Sequence, residues 1–225
     1  MNISPSTSAQ KAGAKVDLKK QLRQFYEPSA REVALVDVPE IQFLMVDGMG
    51  NPNTAREYQG AVEALYALAY ALKFLIKKEQ GIDYAVMPLE GLWWVPDMRE
   101  FTIEHKENWL WTMMIAQPEE VTADLFERAR VQVQQKKPSL DLAKLRLEAF
   151  HEGLAAQIMH IGPYAEEGPT VARLHAFIRE QGYTYEGYAY DGTQQKHHEI
   201  YLSDPRRAAP DKMRTVIRQP VSRSA

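Results

Sequence analysis

Apolar and polar positions alternate along Lys196–Pro205, KHHEIYLSDP. Read as a strand, the stretch sets His197, Glu199 and Tyr201 on one face and His198, Ile200 and Leu202 on the other. The Ile200/Leu202 face reads as core. A carboxylate and a phenol are left side by side on the opposite face, and Asp204-Pro205 closes the strand as a turn. Upstream, Glu40–Asp47 (EIQFLMVD) predicts a buried strand broken by the turn-rich residues 48–53. Thr54 and Glu57 have the spacing of a capping box. Behind them a long helix carries Tyr58, Val62, Leu65, Tyr66, Ala69, Leu72 and Ile76 at three-and-four spacing and ends at Gly81.

Tyr84–Trp94 and Glu107–Ala116 read as an antiparallel hairpin, with Pro88 and Gly91 arguing for an edge position or a bulge in the first strand. Pro118–Lys137 reads as a helix with Thr122 as a start signal, and Leu140–Leu145 as a possible further turn. Residues 147–161 read as strand, turn at His151-Glu152-Gly153, strand. Pro169 opens a helix carrying Val171, Leu174, Phe177 and Ile178 that Gly182 closes. Tyr183–Tyr190 then pairs with Lys196–Leu202 across Asp191-Gly192.

KEQGIDY (78–84) and REQGYTY (179–185) both leave a helix and enter a strand. The order strand, helix, strand, strand around each copy points to duplication. The expected fold is α+β: two βαββ modules, at about 40–117 and 147–205, related by a pseudo-twofold with a ligand cleft between them. Trp109, Trp111 and Met113 would then stand where His197, Glu199 and Tyr201 stand in the second module. Residues 1–27 read as a flexible tail in which Val16–Tyr26 forms a short amphipathic helix, too short for a helix-turn-helix module.

Composition narrows the function. A net charge of -3 gives no global field for nucleic acid, so no nucleic-acid partner is expected. Without cysteine there is no disulfide framework and no thiolate chemistry, which suits a reducing cytoplasm. The polar N-terminus lacks the apolar core of a signal peptide, and no apolar run reads as long enough to span a bilayer, so no membrane partner is expected. Six histidines show no metal-ligand spacing, and neither a nucleophile elbow nor a phosphate loop is present, so no metal and no cofactor are expected.

PLEGLWW (88–94), HIGPYAEEGPT (160–170), HHEIYLSDPRR (197–207) and MRTVIRQPV (213–221) together resemble the GyrI-like small-molecule-binding family, especially its stand-alone members. The resemblance covers roughly residues 26–221. It implies tandem βαββ modules of the SHS2 type around a hydrophobic cleft, and binding of flat, lipophilic, often cationic compounds. Some members resembling this chain are cyclopropanoid cyclopropyl hydrolases, which open the strained ring of DNA-alkylating toxins with water. The family's cleft carboxylate falls on Glu199 in H-x-E-x-Y, and its cleft tyrosine on Tyr66 in L-Y-x-x-x-Y, whose second tyrosine is Tyr70.

Pattern alone reads Glu199 as an exposed strand residue; the resemblance puts it in the cleft as a general base, a role worth roughly 10²- to 10⁴-fold in rate. Tyr66 or Tyr201 would donate to an oxygen that becomes phenolate. Of Trp93, Trp94, Trp109 and Trp111, alternation lets about half reach a cleft, Trp94 and Trp111 being the favoured pair, with Met113 as an adaptable wall. His160 and Tyr164 either line the cleft or cap the turn beside them, and Glu90 is either a second acid or a turn residue. The basic run Arg206, Arg207, Lys212, Arg214 and Arg218 reads as a solvated face. The expected partners are lipophilic aromatic small molecules; a gyrase contact belongs only to the non-catalytic alternative.

Overall fold

A computed structural model describes residues 15–185 and 196–224. Among the described residues the principal elements, in chain order, are β1 (Ala34–Met49), α1 (Arg56–Gln80), β2 (Leu89–Trp94), β3 (Leu110–Ala116), α2 (Ala123–Lys136), β4 (Arg146–Ile161), α3 (Gly168–Glu180), β5 (His197–Tyr201) and β6 (Arg214–Pro220). The six strands close into a barrel in the order β1-β3-β2-β5-β6-β4. Every neighbouring pair is antiparallel. The fold is therefore mixed, strand-rich and closed.

Several local expectations change. β2 is no edge strand: it pairs with β3 on one side and β5 on the other, and Pro88 stands just before it, where its missing N–H costs nothing. Residues 151–153 do not turn. β4 runs straight through them, with Gly153 at φ 71 facing Val38, next to Pro39 on β1. The capping box is not formed, because α1 starts one turn-residue later behind Ala55, and Glu57 instead pairs with Lys144 at 2.6 Å. Thr122 does cap α2, accepting from the Leu125 amide at 3.3 Å, and Gly81 ends α1 in the left-handed region.

The second hairpin is also different. Tyr183–Thr184 pairs with Ser222–Arg223 near the C-terminus, and β5 pairs with β2 and β6. The stretch to Tyr190 and the turn at Asp191-Gly192 lie outside the described residues. Gly91 lies opposite Glu199. This removes the basis for matching Trp109, Trp111 and Met113 to His197, Glu199 and Tyr201.

α1 lies on the outside of the barrel. Leu65, Leu68, Leu72 and Ile76 are wholly buried under it, each worth at most about 1.5–3 kcal/mol. Although α1 is long and apolar enough by composition to cross a bilayer, contrary to the reading of the sequence, these contacts make it the core helix. Gly48 on β1 gives up its side chain to the Trp111 indole, which fills that space and meets Tyr58 of α1 edge-on at 5.4 Å. α3 covers a second apolar cluster built from Ala156, Ile158, Leu174, Ile178 and Ile217.

Among apolar side chains such as Met114, Ile200 and Val216, the inner face of the barrel carries a buried polar network. Glu90 accepts from the Tyr26 hydroxyl at 2.5 Å and contacts His198 Nε2 at 3.0 Å. Glu152 contacts His198 Nδ1 at 2.8 Å and accepts from Arg218 at 2.8 Å. Arg218 also donates to Gln157 and to the Phe25 carbonyl. Burying these charges is tolerable only because each has partners. Two of the sequence readings are corrected here: Arg218 is 2% exposed rather than part of a solvated face, and Glu90 is a strand residue, not a turn residue. The flexible tail is corrected for residues 15–27: two short helices form there, and Phe25 and Tyr26, at the end of the second, plug this network.

Candidate functional site

A cavity of about 1680 Å³ opens between α1, α3 and the outer face of β2 and β5. Glu199 is its anionic centre. Strand alternation sets His197, Glu199 and Tyr201 in a row. His197 Nε2 lies 3.1 Å from Glu199 Oε1, and the Tyr201 hydroxyl donates to Oε2 at 2.7 Å. A carboxylate only accepts, so the imidazole nitrogen donates. Trp93, facing His197 across β2 and β5, donates its indole N–H to the Tyr201 oxygen at 3.0 Å, which fixes the phenol as donor to Glu199. Gly91 makes this possible: a Cβ there would lie 2.7 Å from Trp93 Nε1.

Burial alone would raise the Glu199 pKa. The hydrogen bond and charge of His197, the Tyr201 hydroxyl and the charge of Lys106 outweigh it and hold the carboxyl below its ordinary value. Glu167, just before α3, is in the opposite state. Burial first, and then the Glu199 charge, push its carboxyl up to about 9, and its Oε1 has no hydrogen-bond partner. At neutral pH Glu199 is therefore ionised while Glu167, in the same cavity, keeps its proton. His175 on α3 stacks on Tyr185 with ring centroids 3.9 Å apart. Its Nε2 is also unpartnered, and burial drops it to about 4, so it is a neutral imidazole.

The walls are aromatic. Trp93 and Trp109 lie 5.5 Å apart, Phe101 stacks on Trp109 at 4.7 Å, and Lys106 sits over the Trp109 ring at 5.0 Å. Tyr164 meets Tyr201 edge-on at 5.5 Å. Burial raises the phenols of Tyr58, Tyr66 and Tyr164, the last to about 12, so all three are protonated donors at neutral pH.

Of the residues singled out in the sequence, Glu199, Tyr66, Trp93, Trp109, Tyr201, Tyr70 and Tyr164 line this cavity. Trp94 does not: it takes the other parity of β2, with Lys196 over its ring at 3.6 Å. Trp111 and Met113 have the right parity but are wholly buried beneath the lining, Trp111 under Tyr58 and Met113 under Gly91. The pair facing the cavity is thus Trp93 and Trp109. His160 caps its turn, bonding Thr170 at 3.0 Å and the Pro163 carbonyl at 3.2 Å. Tyr201 has its hydroxyl committed to Glu199, which leaves Tyr66 of the two phenols once considered as donors to a ligand. Sequence reasoning missed Glu167, His175, Tyr58, Phe101 and Lys106. Tyr58 stands on the apolar stripe of α1, whereas Glu167 carries no mark of its own in the sequence.

The GyrI-like small molecule binding domain matches residues 31–222. A crystal structure of an uncharacterized conserved protein from Listeria innocua is 42% identical, with a TM-score of 0.83 over 92% of this chain and 100% of that one. A hydrolase from Listeria innocua is 42% identical, with a TM-score of 0.80 over the same shares. The EcmrR C-terminal domain, 12% identical with a TM-score of 0.51 over 85% of this chain and 98% of that one, shares the fold alone. No curated protein sequence matches. With most of its length matched by the family and a cavity lined by rings around a fixed carboxylate, this chain belongs to the GyrI-like small-molecule-binding family.

Proposed function

We propose that the protein is a cytoplasmic hydrolase that opens the cyclopropane ring of planar, electrophilic cyclopropanoid toxins. The observation that carries this reading is the pair of cavity carboxyls held in opposite protonation states, the arrangement an acid–base reaction at neutral pH requires. Glu199 takes a proton from a water molecule as its oxygen attacks the ring CH₂. The C–C bond breaks, and its electron pair flows into the conjugated dienone, whose oxygen becomes a phenolate. Glu167 gives its proton to that oxygen, with Tyr66 donating a hydrogen bond to it. Proton return from Glu199 to Glu167 through solvent resets the site. The hydrolases of 41% and 42% identity lend support to the reaction class.

The duplicated βαββ reading fits this site. From the β2–β5 pair the barrel runs β2-β3-β1 one way and β5-β6-β4 the other, as two copies about a pseudo-twofold would. A second reading, sequestration of lipophilic cations without turnover, is favoured by the charged Glu199 among rings. Incubation with a spirocyclopropyl dienone followed by mass spectrometry separates the two. Addition of one water by the wild type, lost in Glu199→Gln with binding kept, supports the hydrolase; saturable binding with no product leaves sequestration.

A further inference from the structure

On the outward side of α1, an aromatic strip leads out of the cavity. Tyr66 and Tyr70 have ring centroids 6.5 Å apart at an interplanar angle of 30°, and Tyr70 and Phe74 are 6.5 Å apart at 26°. The three residues recur every four positions, so the strip climbs about 12 Å along the helix. Tyr66 and Tyr70 line the cavity, whereas Phe74 lies beyond it. Exposure rises along the same path: Tyr70 is 48% and Phe74 60% exposed. Large rings in water on successive helical turns bury nothing for the fold, yet here they continue a ligand cavity already larger than most.

We propose that this strip is an outer subsite for the second planar unit of an elongated ligand, one built from two or more linked aromatic units. It rests on the reading of the cavity as a small-molecule site. The first unit sits between Trp93 and Tyr66 near Glu199. The linker crosses the mouth beside Pro88, and the second unit lies flat on Tyr70 and Phe74. Near-parallel rings suit such a unit because each adds an offset-stacked contact at little entropic cost. Single-ring compounds would use only the inner site.

The test compares the bis-benzimidazole dye Hoechst 33258 with its single-unit fragment 2-(4-hydroxyphenyl)benzimidazole by calorimetric titration. Proteins are the wild type, Tyr70→Ala, Phe74→Ala and the double variant. Both positions are surface positions on a helix, where alanine is well tolerated. The wild type is expected to hold the two-unit dye about tenfold or more tighter than the fragment; Phe74→Ala, beyond the cavity, should narrow that ratio severalfold while the fragment's affinity stays put, and the double variant should bring the two within about twofold. An unchanged ratio in the double variant overturns the outer subsite and leaves the inner one standing. Failure of both compounds to bind the wild type overturns the inner reading as well. Self-association of the wild type that the double variant abolishes would assign the strip to a second copy of the chain instead.

Discussion

Glu167→Gln should stabilise this protein, and by an amount that grows with pH. The carboxyl is almost fully covered and is pushed to about 9, against an ordinary 4.5. Between those two values the folded chain holds a proton that the unfolded chain releases, so the unfolded state binds fewer protons and stability falls as pH rises. Below about 4.5 the residue has no effect, and above about 9 the penalty levels off. Each pH unit inside the window costs about 1.4 kcal/mol, which amounts to about 3 kcal/mol at pH 7. Glutamine has the same shape and cannot ionise, so it removes the penalty without opening a hole. Urea unfolding of both proteins at pH 5 and pH 8 reads the effect directly. The gap in unfolding free energy should widen by about 4 kcal/mol between the two, on the order of 10 °C in melting temperature. Stability curves that run parallel across this range would refute the assignment of a neutral Glu167, and with it the source of the proton in the proposed reaction. A variant more stable and less active than the wild type is the expected signature of strain kept for function.

On the inner face, Arg218→Met leaves Glu152 without its guanidinium and should cost about 3–5 kcal/mol in chemical unfolding. Glu152 is held down to about 2 against burial by His198 and Arg218, so the wild type should lose stability as pH falls from about 4.5 towards 2, and the variant should lose less over that interval. Gly91→Ala places a methyl group 2.7 Å from Trp93 Nε1 and 3.2 Å from Met113 Sδ. It should cost about 1–3 kcal/mol and weaken ligand binding by displacing the indole that holds Tyr201, whereas an unchanged tryptophan emission and affinity would contradict that linkage. If hydrolysis is observed, its rate should fall as pH rises through about 9, and Glu167→Gln should remove that limb along with most of the turnover.

The legible parts of this molecule are those that depend on neighbours in sequence. The β5 alternation and the stripe and left-handed end of α1 follow from local periodicity and from glycine's freedom at φ 70. What could not be read depends on partners far along the chain. Tyr183–Thr184 offers a strand pattern that the nearby 196–202 segment satisfies as well on paper as Ser222–Arg223 does in space. Arg218 and Glu90 carry charges that composition assigns to solvent, and only the closure of the barrel brings them to Glu152 and His198. The choice between Trp93 and Trp94 was within reach: Gly91 shares the parity of Trp93, and a glycine in a strand marks the face on which something large lies. Glu167 had no such marker, since its burial comes from the packing of α3 over β4 and from nothing in its own surroundings in sequence.

β5 joins these two chemistries through a single backbone. His198 faces inward, where contacts to Glu90 on one side and Glu152 on the other hold it between β2 and β4. His197 and Glu199, its immediate neighbours, face the cavity, so the position of the carboxylate is set by a strand that cannot slide without breaking both inner contacts. A register shift of one residue would bury Glu199 among the inner carboxylates and bring His198 into the cavity. The charge that shift would strand costs several kcal/mol, far more than a core of apolar residues alone would charge for it. The buried polar network thus has a positional use that its small contribution to net stability would not reveal: it locks the register that aims Glu199. Replacing His198 and Glu90 together by leucine and methionine should therefore leave the protein folded, at a cost of about 1–3 kcal/mol for the Tyr26 hydroxyl left without its acceptor, while the crystal structure or hydrogen exchange of β5 reveals a looser strand and ligand affinity drops. Full affinity in that double variant would mean that the cavity face alone holds Glu199 in place.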